Sequence, residues 1–371
     1  MSSLFSPITL GPVTLPNRIV IAPMCQYTAE DGLPTDWHLI HLGHMAFSGA
    51  GALIIEATAV EDIGRITPGC LGLWSDATEA ALDRVIKSVR TYATPMPIMI
   101  QLGHAGRKAS SRRPWEGGSL LLPEDGGWRP IGPSAVPQLP DEPAPVEMTR
   151  ADMDRVRDAF VSAVKRSIRI GFDGIELHAA HGYLMHQFLS PLSNRRTDAY
   201  GGSLENRMRY PLEVFDAMRA AVAPNMTLGV RISAIDWVDG GQTIEDSIAF
   251  TLALKARGCD FIHVSSGGVS PLQQIVAGPG YQVDLAQQIK QATGVPTIAV
   301  GMITEPHQAE EIIASGKADM VALARGMLYD PRWPWHAAAE LGAQVEAPRQ
   351  YWRSQPRGLG KLFGDVRTGG R

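Results

Sequence analysis

Residues 174–183, GIELHAAHGY, hold His178, His181 and Tyr183 within one short stretch. Two imidazoles supply hydrogen-bond donors and a phenol supplies a proton, which is what chemistry on a polarised carbonyl compound needs. The apolar run 175–177 is too short for a helix and is preceded by Gly171 and Gly174. Gly182 follows, so the histidines stand where a strand becomes a loop. In a β/α barrel that place is the catalytic rim. On this segment alone a structural histidine pair, or the H-x-x-H half of a metal site, is as open as the catalytic reading.

The elements that must carry these residues repeat one pattern along 371 residues. Short β-branched runs at 19–22, 52–56, 98–102, 174–177, 227–231, 261–264, 297–300 and 320–324 alternate with helical spacing. The alternation predicts an α/β fold, a (β/α)8 TIM barrel with parallel strands. Thr149 and Thr243 read as N-caps, with Gly171 ending the first of these helices and Gly258 the second. A further helix is expected over 305–315, after Thr304. Residues 1–346 are read as the barrel. Within it, 105–147, rich in Pro, Gly, Arg and Trp, is an elaborated rim loop after the third strand, covering the site. The tail 347–371 is dense in Arg, Gly and Pro and on composition is a frayed terminus. A doubly wound sheet would want G-x-G-x-x-G after the first strand; the strand here ends in Ala22, Pro23, Met24 and Cys25.

Composition narrows the classes. With 44% hydrophobic and 19% charged residues the chain is globular rather than disordered, and no apolar stretch is long enough to span a membrane. The first residues lack the basic flank and apolar core of a secretory signal, so a cytoplasmic enzyme is expected. A net charge of -4 with dispersed Lys and Arg argues against a nucleic-acid partner. Cys25, Cys70 and Cys259 show no C-x-x-C spacing, which disfavours a disulfide framework and a cysteine-built metal site.

Strand ends of a barrel share one pocket however distant in sequence. They gather Pro23, Met24, Cys25 and Tyr27; Ala57 and Thr58; Gln101 and His104; His178, His181 and Tyr183; Arg231; Ser265, Ser266 and Gly267; Gly301; and Arg325 with Gly326. The near absence of carboxylates removes a glycosidase pair and a hard-cation cage, and leaves Arg231 without an acidic strand-end partner. The runs 265–268, 300–302 and 324–326 offer approachable backbone N–H groups and one guanidinium, suited to a phosphate.

The ordered motifs go further. Asn17-Arg18, Ala22-Pro-Met-Cys-Gln-Tyr27, Glu56-Ala-Thr-Ala59, Gln101-Leu-Gly-His-Ala-Gly-Arg-Lys108, Glu176-Leu-His-Ala-Ala-His-Gly-Tyr-Leu184, the run 190–203, Asn206-Arg207, and Ala324-Arg325 ahead of Asp330-Pro331 span nearly the whole chain. They resemble the old yellow enzyme family of flavin-dependent ene-reductases, in its thermophilic-like bacterial branch with the xenobiotic reductases. The resemblance implies noncovalent FMN, reduced by NADPH or NADH and reoxidised by an activated alkene such as an enal, enone, maleimide or nitroalkene. It implies that Ala22, Pro23, Met24, Cys25 and Ala57 run along the isoalloxazine, that Gln101 bonds its pyrimidine edge, and that Arg231 lies near N1 and O2. Gly301, Ala324 and Arg325 then belong to the phosphate end. His178 and His181 would donate to the substrate carbonyl while hydride passes from flavin N5 to the β-carbon, and Tyr183 would protonate the α-carbon. Tyr27 would line the substrate side. Met302 stands where some xenobiotic reductases have tryptophan, implying a roomier pocket. Arg353 matches an arginine that in some relatives enters a neighbouring subunit's site, implying a homodimer or homotetramer. A dienoyl-CoA reductase would add a cysteine-rich segment and further domains, a hydrolase more His or Asp ligands, and a flavin store would need no positioned acid.

Overall fold

The computed structural model describes residues 2–367. Eight parallel strands close into a barrel in chain order: Ile19–Ile21, Ala52–Ala59, Ile98–Gly103, Gly174–Ala179, Thr227–Ser233, Ile262–Ser265, Thr297–Ala299 and Met320–Leu323, the last pairing with the first. These are the eight runs the spacing singles out, with ends moved by a few residues. Strands two to five run longest, and their extra residues carry the rim side chains. An antiparallel hairpin, Ile8–Leu10 with Val13–Leu15, plugs the opposite mouth. Its Leu10 and Leu15 are buried with Val20, Ala52, Met99, Phe261, Ile298 and Met320, near the starts of the strands.

Helices follow the strands because their first turns are capped and one face is apolar. In Arg150–Ile170 Thr149 Oγ1 accepts from Asp152 N–H, and Gly171 closes the helix at φ +87°. Met153, Val156, Phe160, Ala163 and Val164 form its buried face. Ile244–Lys255 is capped by Thr243 in the same way, and Gly258 lies in the turn beyond it. The helix expected over 305–315 is shorter, Pro306–Ala314. Its N-cap is Glu305 rather than Thr304, because Pro306 fixes the first helical position.

Two irregular regions are more ordered than composition suggests. The rim loop 105–147 contains three single 3-10 turns, Gly106–Lys108, Pro114–Glu116 and Pro123–Asp125, and a two-residue pairing of Ile131–Gly132 with Val146–Glu147. Trp128 Nε1–H donates to Ile63 O at 2.8 Å, and Ser110 Oγ both accepts from Trp128 N–H and donates to Leu121 O, so the loop is anchored to the rim. Up to residue 367, the last one described, the tail is packed rather than frayed. Leu362 and Phe363 are buried with Ala338, Val345 and Ala347, and the 3-10 helix Arg349–Ser354 brings Tyr351 against Phe47 and Trp335. Aromatic and aliphatic residues scattered among the tail's polar ones supply this anchor. No described helix is long and apolar enough to cross a membrane.

Candidate active site

The fourth strand delivers its chemistry through a turn whose backbone is tied at every residue. Side chains i and i+2 of a strand share a face, so Glu176 and His178 both point into the barrel. The chain then turns through residues 180–183, with His181 at φ +58° and Gly182 at φ +74°. A Cβ at Gly182 would stand 2.2 Å from Gly268 O, so no larger residue fits there. His181 N–H donates to Ser233 Oγ (2.9 Å), Gly182 N–H to His186 Nδ1 (2.9 Å) and Tyr183 N–H to Ala180 O (3.1 Å). Gln187 Nε2–H donates to Gly182 O at 2.6 Å, and His186 Nε2–H to the buried Asp236 at 2.9 Å. Despite its burial, Asp236 stays below the usual carboxylate range because of His186, Ser190 and the Gln242 N–H.

This turn brings three rings together. The His178 centroid lies 5.2 Å from that of His181 and 4.9 Å from that of Tyr183, each pair edge to face. Burial holds both imidazoles well below the ordinary histidine range, and Arg231 adds to the effect. Both are therefore neutral at pH 7, with one N–H each. Ala180 N–H donates to His178 Nδ1 (3.2 Å), which places the His178 proton on Nε2. His181 Nε2 meets Ser265 Oγ at 2.8 Å. Burial pushes the Tyr183 phenol well above its ordinary value, so it carries a proton throughout the neutral range.

The loop after the first strand is positioned by a carboxylate. Strand two has a bulge between Ile55 and Ala57. Glu56 there accepts Gln26 N–H at 3.1 Å and lies 3.4 Å from His38 Nε2. Tyr27, at φ +55°, is half-buried and stacks edge to face on Trp115 of the rim loop, ring centroids 5.9 Å apart. Burial raises the Cys25 thiol and the Tyr27 phenol above their usual values, so both keep their protons. Tyr27, His181 and Met302 all sit in the left-handed region at strand ends. Such strain collects at functional sites, where surrounding bonds enforce it.

Arg231 lies two residues before the end of the fifth strand, and its Cα pairs in register with those of His178 and His263. As expected of the strand ends, no described carboxylate forms an ion pair with it. Glu176, fully buried on the neighbouring strand, is the leading source of negative potential on Arg231, without bonding it. Glu176 accepts from Gln101 Nε2 (2.7 Å) and from His263 Nδ1 (2.8 Å). It escapes an inventory of strand ends because it lies two residues before His178, and its signal was the acid inside an apolar run. Arg231 Nε and His263 Nε2 are buried with no hydrogen-bond partner among the described residues.

A cavity of about 720 Å3 opens beside Arg231, lined by Ser265, Gln282, Gly301, Met302, Ala324 and Arg325 among others. Gly301 has φ +123° and a Cβ there would meet Gln282 at 2.9 Å, which keeps the backbone N–H groups approachable. An apolar wall, two guanidiniums, bare backbone and an orphaned buried Arg231 Nε fit a planar aromatic group bearing a phosphate, which is the shape of FMN. Of the residues expected to hold it, Arg231, Gly301, Ala324 and Arg325 line this cavity. Ala57 instead shares a narrow crevice with His178 and Tyr183. Ala22 continues strand one, donating its N–H to Leu323 O, with Pro23, Met24 and Cys25 beyond it. Gln101 has its amide N–H directed to Glu176. Arg353 is exposed on the tail, and no described tail residue lines the cavity. Among the described residues no group of three His, Cys, Asp or Glu side chains could hold a metal ion.

The chain is similar to known proteins. Residues 3–344 match the profile of the NADH:flavin oxidoreductase / NADH oxidase family. An NADPH dehydrogenase of Geobacillus thermodenitrificans is 45% identical over 352 residues, covering 94% of this chain and 98% of that one. An old yellow enzyme homologue of Zymomonas mobilis superposes with a TM-score of 0.74 at 26% identity, over 93% of this chain and 94% of its own. A 2-naphthoyl-CoA reductase superposes with a TM-score of 0.81 at 25% identity, but this chain spans only 52% of its length.

Proposed function

The chain belongs to the NADH:flavin oxidoreductase / NADH oxidase family, as an FMN-dependent oxidoreductase of the old yellow enzyme type reduced by NADH or NADPH, and we propose that it reduces activated C=C bonds of α,β-unsaturated carbonyl and nitro compounds. The observation that carries this reading is the tied turn 180–183, which sets two neutral imidazoles and a protonated phenol edge to face beside the Arg231 cavity. When bound, FMN supplies the hydride.

The residues of the chain do the rest. Arg231, Gly301, Ala324 and Arg325 hold the cofactor, with Arg231 offsetting the negative charge that reduction brings. Ala22, Pro23, Met24, Cys25, Ala57 and Gln101 complete its surroundings. His178 and His181 donate to the substrate's carbonyl or nitro oxygen. As negative charge develops there, each donor is worth roughly 3 kcal/mol of barrier. Tyr183 Oη–H releases its proton to the α-carbon. Burial makes that phenol a weak acid at rest, so it donates only to a strongly basic carbon, and the site does not ionise between turnovers. Tyr27, steadied by Trp115, bounds the substrate side, and half-exposed Met302 leaves the cavity mouth open.

The barrel and its anchored tail form one subunit of a homo-oligomer in this reading, with Arg353 given to a neighbour's site. Support comes from a second cavity, lined by Leu39, Ile40, Phe47, Tyr92 and Tyr351, where Ile40 is 66% and Tyr92 62% exposed. So much apolar surface beside the tail suits a subunit contact. Anaerobic titration of the NADPH-reduced holoenzyme with a panel of enones, maleimides and nitroalkenes tests the activity. Reoxidation by these compounds, with saturated products recovered, is the expected result. A reduced enzyme that reacts with none of them contradicts the proposal.

A further inference from the structure

Lys108 ends the single turn Gly106–Lys108, at the start of the rim loop, and its side chain reaches across the site. Nζ donates to His181 O at 2.9 Å and to Gly268 O at 3.0 Å, and lies 5.2 Å from the centroid of the Tyr183 ring. The turns it joins already touch. A Cβ on Gly268, at φ +96°, would stand 2.5 Å from His181 Cα. Two carbonyl oxygens converging on one point repel each other unless a cation sits between them. One ammonium therefore links the turn carrying His181 and Tyr183 to the loop after the sixth strand.

We propose that Lys108 is a positioning residue for proton donation, whose ammonium clamps the His181 and Gly268 carbonyls together and lies over Tyr183, so that both donors and the acid keep their places only while it is charged. This rests on the reading of Tyr183 as proton donor. A cation beside the phenol also stabilises the charge Tyr183 acquires on releasing its proton.

The groups facing Lys108 give the clamp a pH limit. They are Arg107 from its own turn and His178, His181 and Tyr183 from the fourth strand and its turn, with the His186–Asp236 pair behind that turn. Burial, with Arg107 adding to it, lowers the Lys108 ammonium to about 8. The two histidines are already neutral there, Tyr183 is held protonated, and burial lowers Arg107 only to about 10. Lys108 is charged below its pKa and neutral above it, so the clamp weakens as pH rises through about 8.

The test uses FMN-loaded enzyme in anaerobic stopped flow from about pH 6.5 to 9.5, with reduction by NADPH and reoxidation by an enone read separately. Wild type is compared with Lys108→Met, Lys108→Arg and Tyr183→Phe. The expected result for Lys108→Met is reduction within about twofold of wild type and reoxidation slowed by roughly 10- to 100-fold, the cost of slight misplacement, with no further fall across pH 8. Lys108→Arg should recover part of the loss and hold its rate above pH 8, where wild type declines. Wild-type reoxidation in Lys108→Met, or the same decline near pH 8 in both Lys108 variants, overturns the proposal. If Lys108→Met does not retain FMN, the Lys108→Arg profile decides alone: a wild-type decline overturns the proposal and a level rate supports it. Tyr183→Phe separates the two readings, since unimpaired reoxidation there removes the proton donor itself.

Discussion

His181 Nε2 lies 2.8 Å from Ser265 Oγ, and this contact governs which nitrogen of His181 can donate to a ligand. Ser266 Oγ donates to Gln282 Oε1 at 2.7 Å, and Ser265 Oγ can donate to the same oxygen only over a longer 3.3 Å. With Gln282 already supplied by Ser266, the shorter contact takes the Ser265 proton to His181 Nε2, leaving the ring proton on Nδ1. The opposite arrangement presents a lone pair on Nδ1, which repels a carbonyl oxygen.

Ser265→Ala should therefore weaken binding of para-alkylphenols, which imitate the enolate oxygen, by about tenfold, or ~1.4 kcal/mol. Titration of the long-wavelength absorbance of the phenol complex measures this. Nitrogen-15 shifts of His181 should show the proton leaving Nδ1. Unaltered phenol affinity with an unaltered tautomer would remove Ser265 from this role.

Both imidazoles are lowered well below the ordinary histidine range, so they charge only in acid. Affinity for such a phenol, itself neutral until about pH 10, should stay level from about pH 6 to 7.5. A midpoint near the ordinary histidine value of ~6.5 in that titration would mean that the rings are not desolvated as described.

Arg231→Met should lower FMN affinity and make the bound flavin harder to reduce, because the reduced form loses its fixed cation. Glu176 then keeps His263 and Gln101 but loses the counter-charge of Arg231, so stability should fall along with FMN binding. Spectroelectrochemistry and FMN release on dilution check both effects. An unchanged potential in protein that keeps its FMN would show that Arg231 serves the barrel alone.

Much of this site was legible in the chain, and what was not has a physical cause. Strand and helix positions follow from β-branched runs and Thr caps, and a barrel then brings the ends together without knowledge of any contact. Pairings between strands were hidden because they depend on register. Glu176 bonding His263 and Gln101, Ser265 against His181, and Lys108 bridging two turns each join residues from different β/α units. The tail deceived for another reason: its Arg, Gly and Pro dominate composition, while Leu362, Phe363 and Tyr351, which anchor it, are few and scattered.

Gly182→Ala should damage the donor pair from the backbone side. A left-handed alanine costs roughly 1–2 kcal/mol, and its Cβ would meet Gly268 O at 2.2 Å. Phenol binding should fall more than FMN binding, since the cavity wall at Gly301 and Arg325 is elsewhere. Equal loss of both would mean that the turn supports the whole rim.

If Arg353 enters a neighbour's site, mixing Tyr183→Phe subunits with Arg353→Ala subunits should regain activity in the hybrid, because one site per pair then has both residues. Activity no greater than that of the unmixed variants would confine Arg353 to its own chain.

The most direct test of the central claim compares wild type with Tyr183→Phe in two separate half-reactions, reduction by NADPH and reoxidation by an enone. Reduction should be unchanged, and reoxidation should slow by about 10²- to 10⁴-fold, the usual contribution of a positioned acid. Equal rates of reoxidation in the two proteins, or equal loss in both half-reactions, would contradict the assignment of His178, His181 and Tyr183 as an alkene-reducing site.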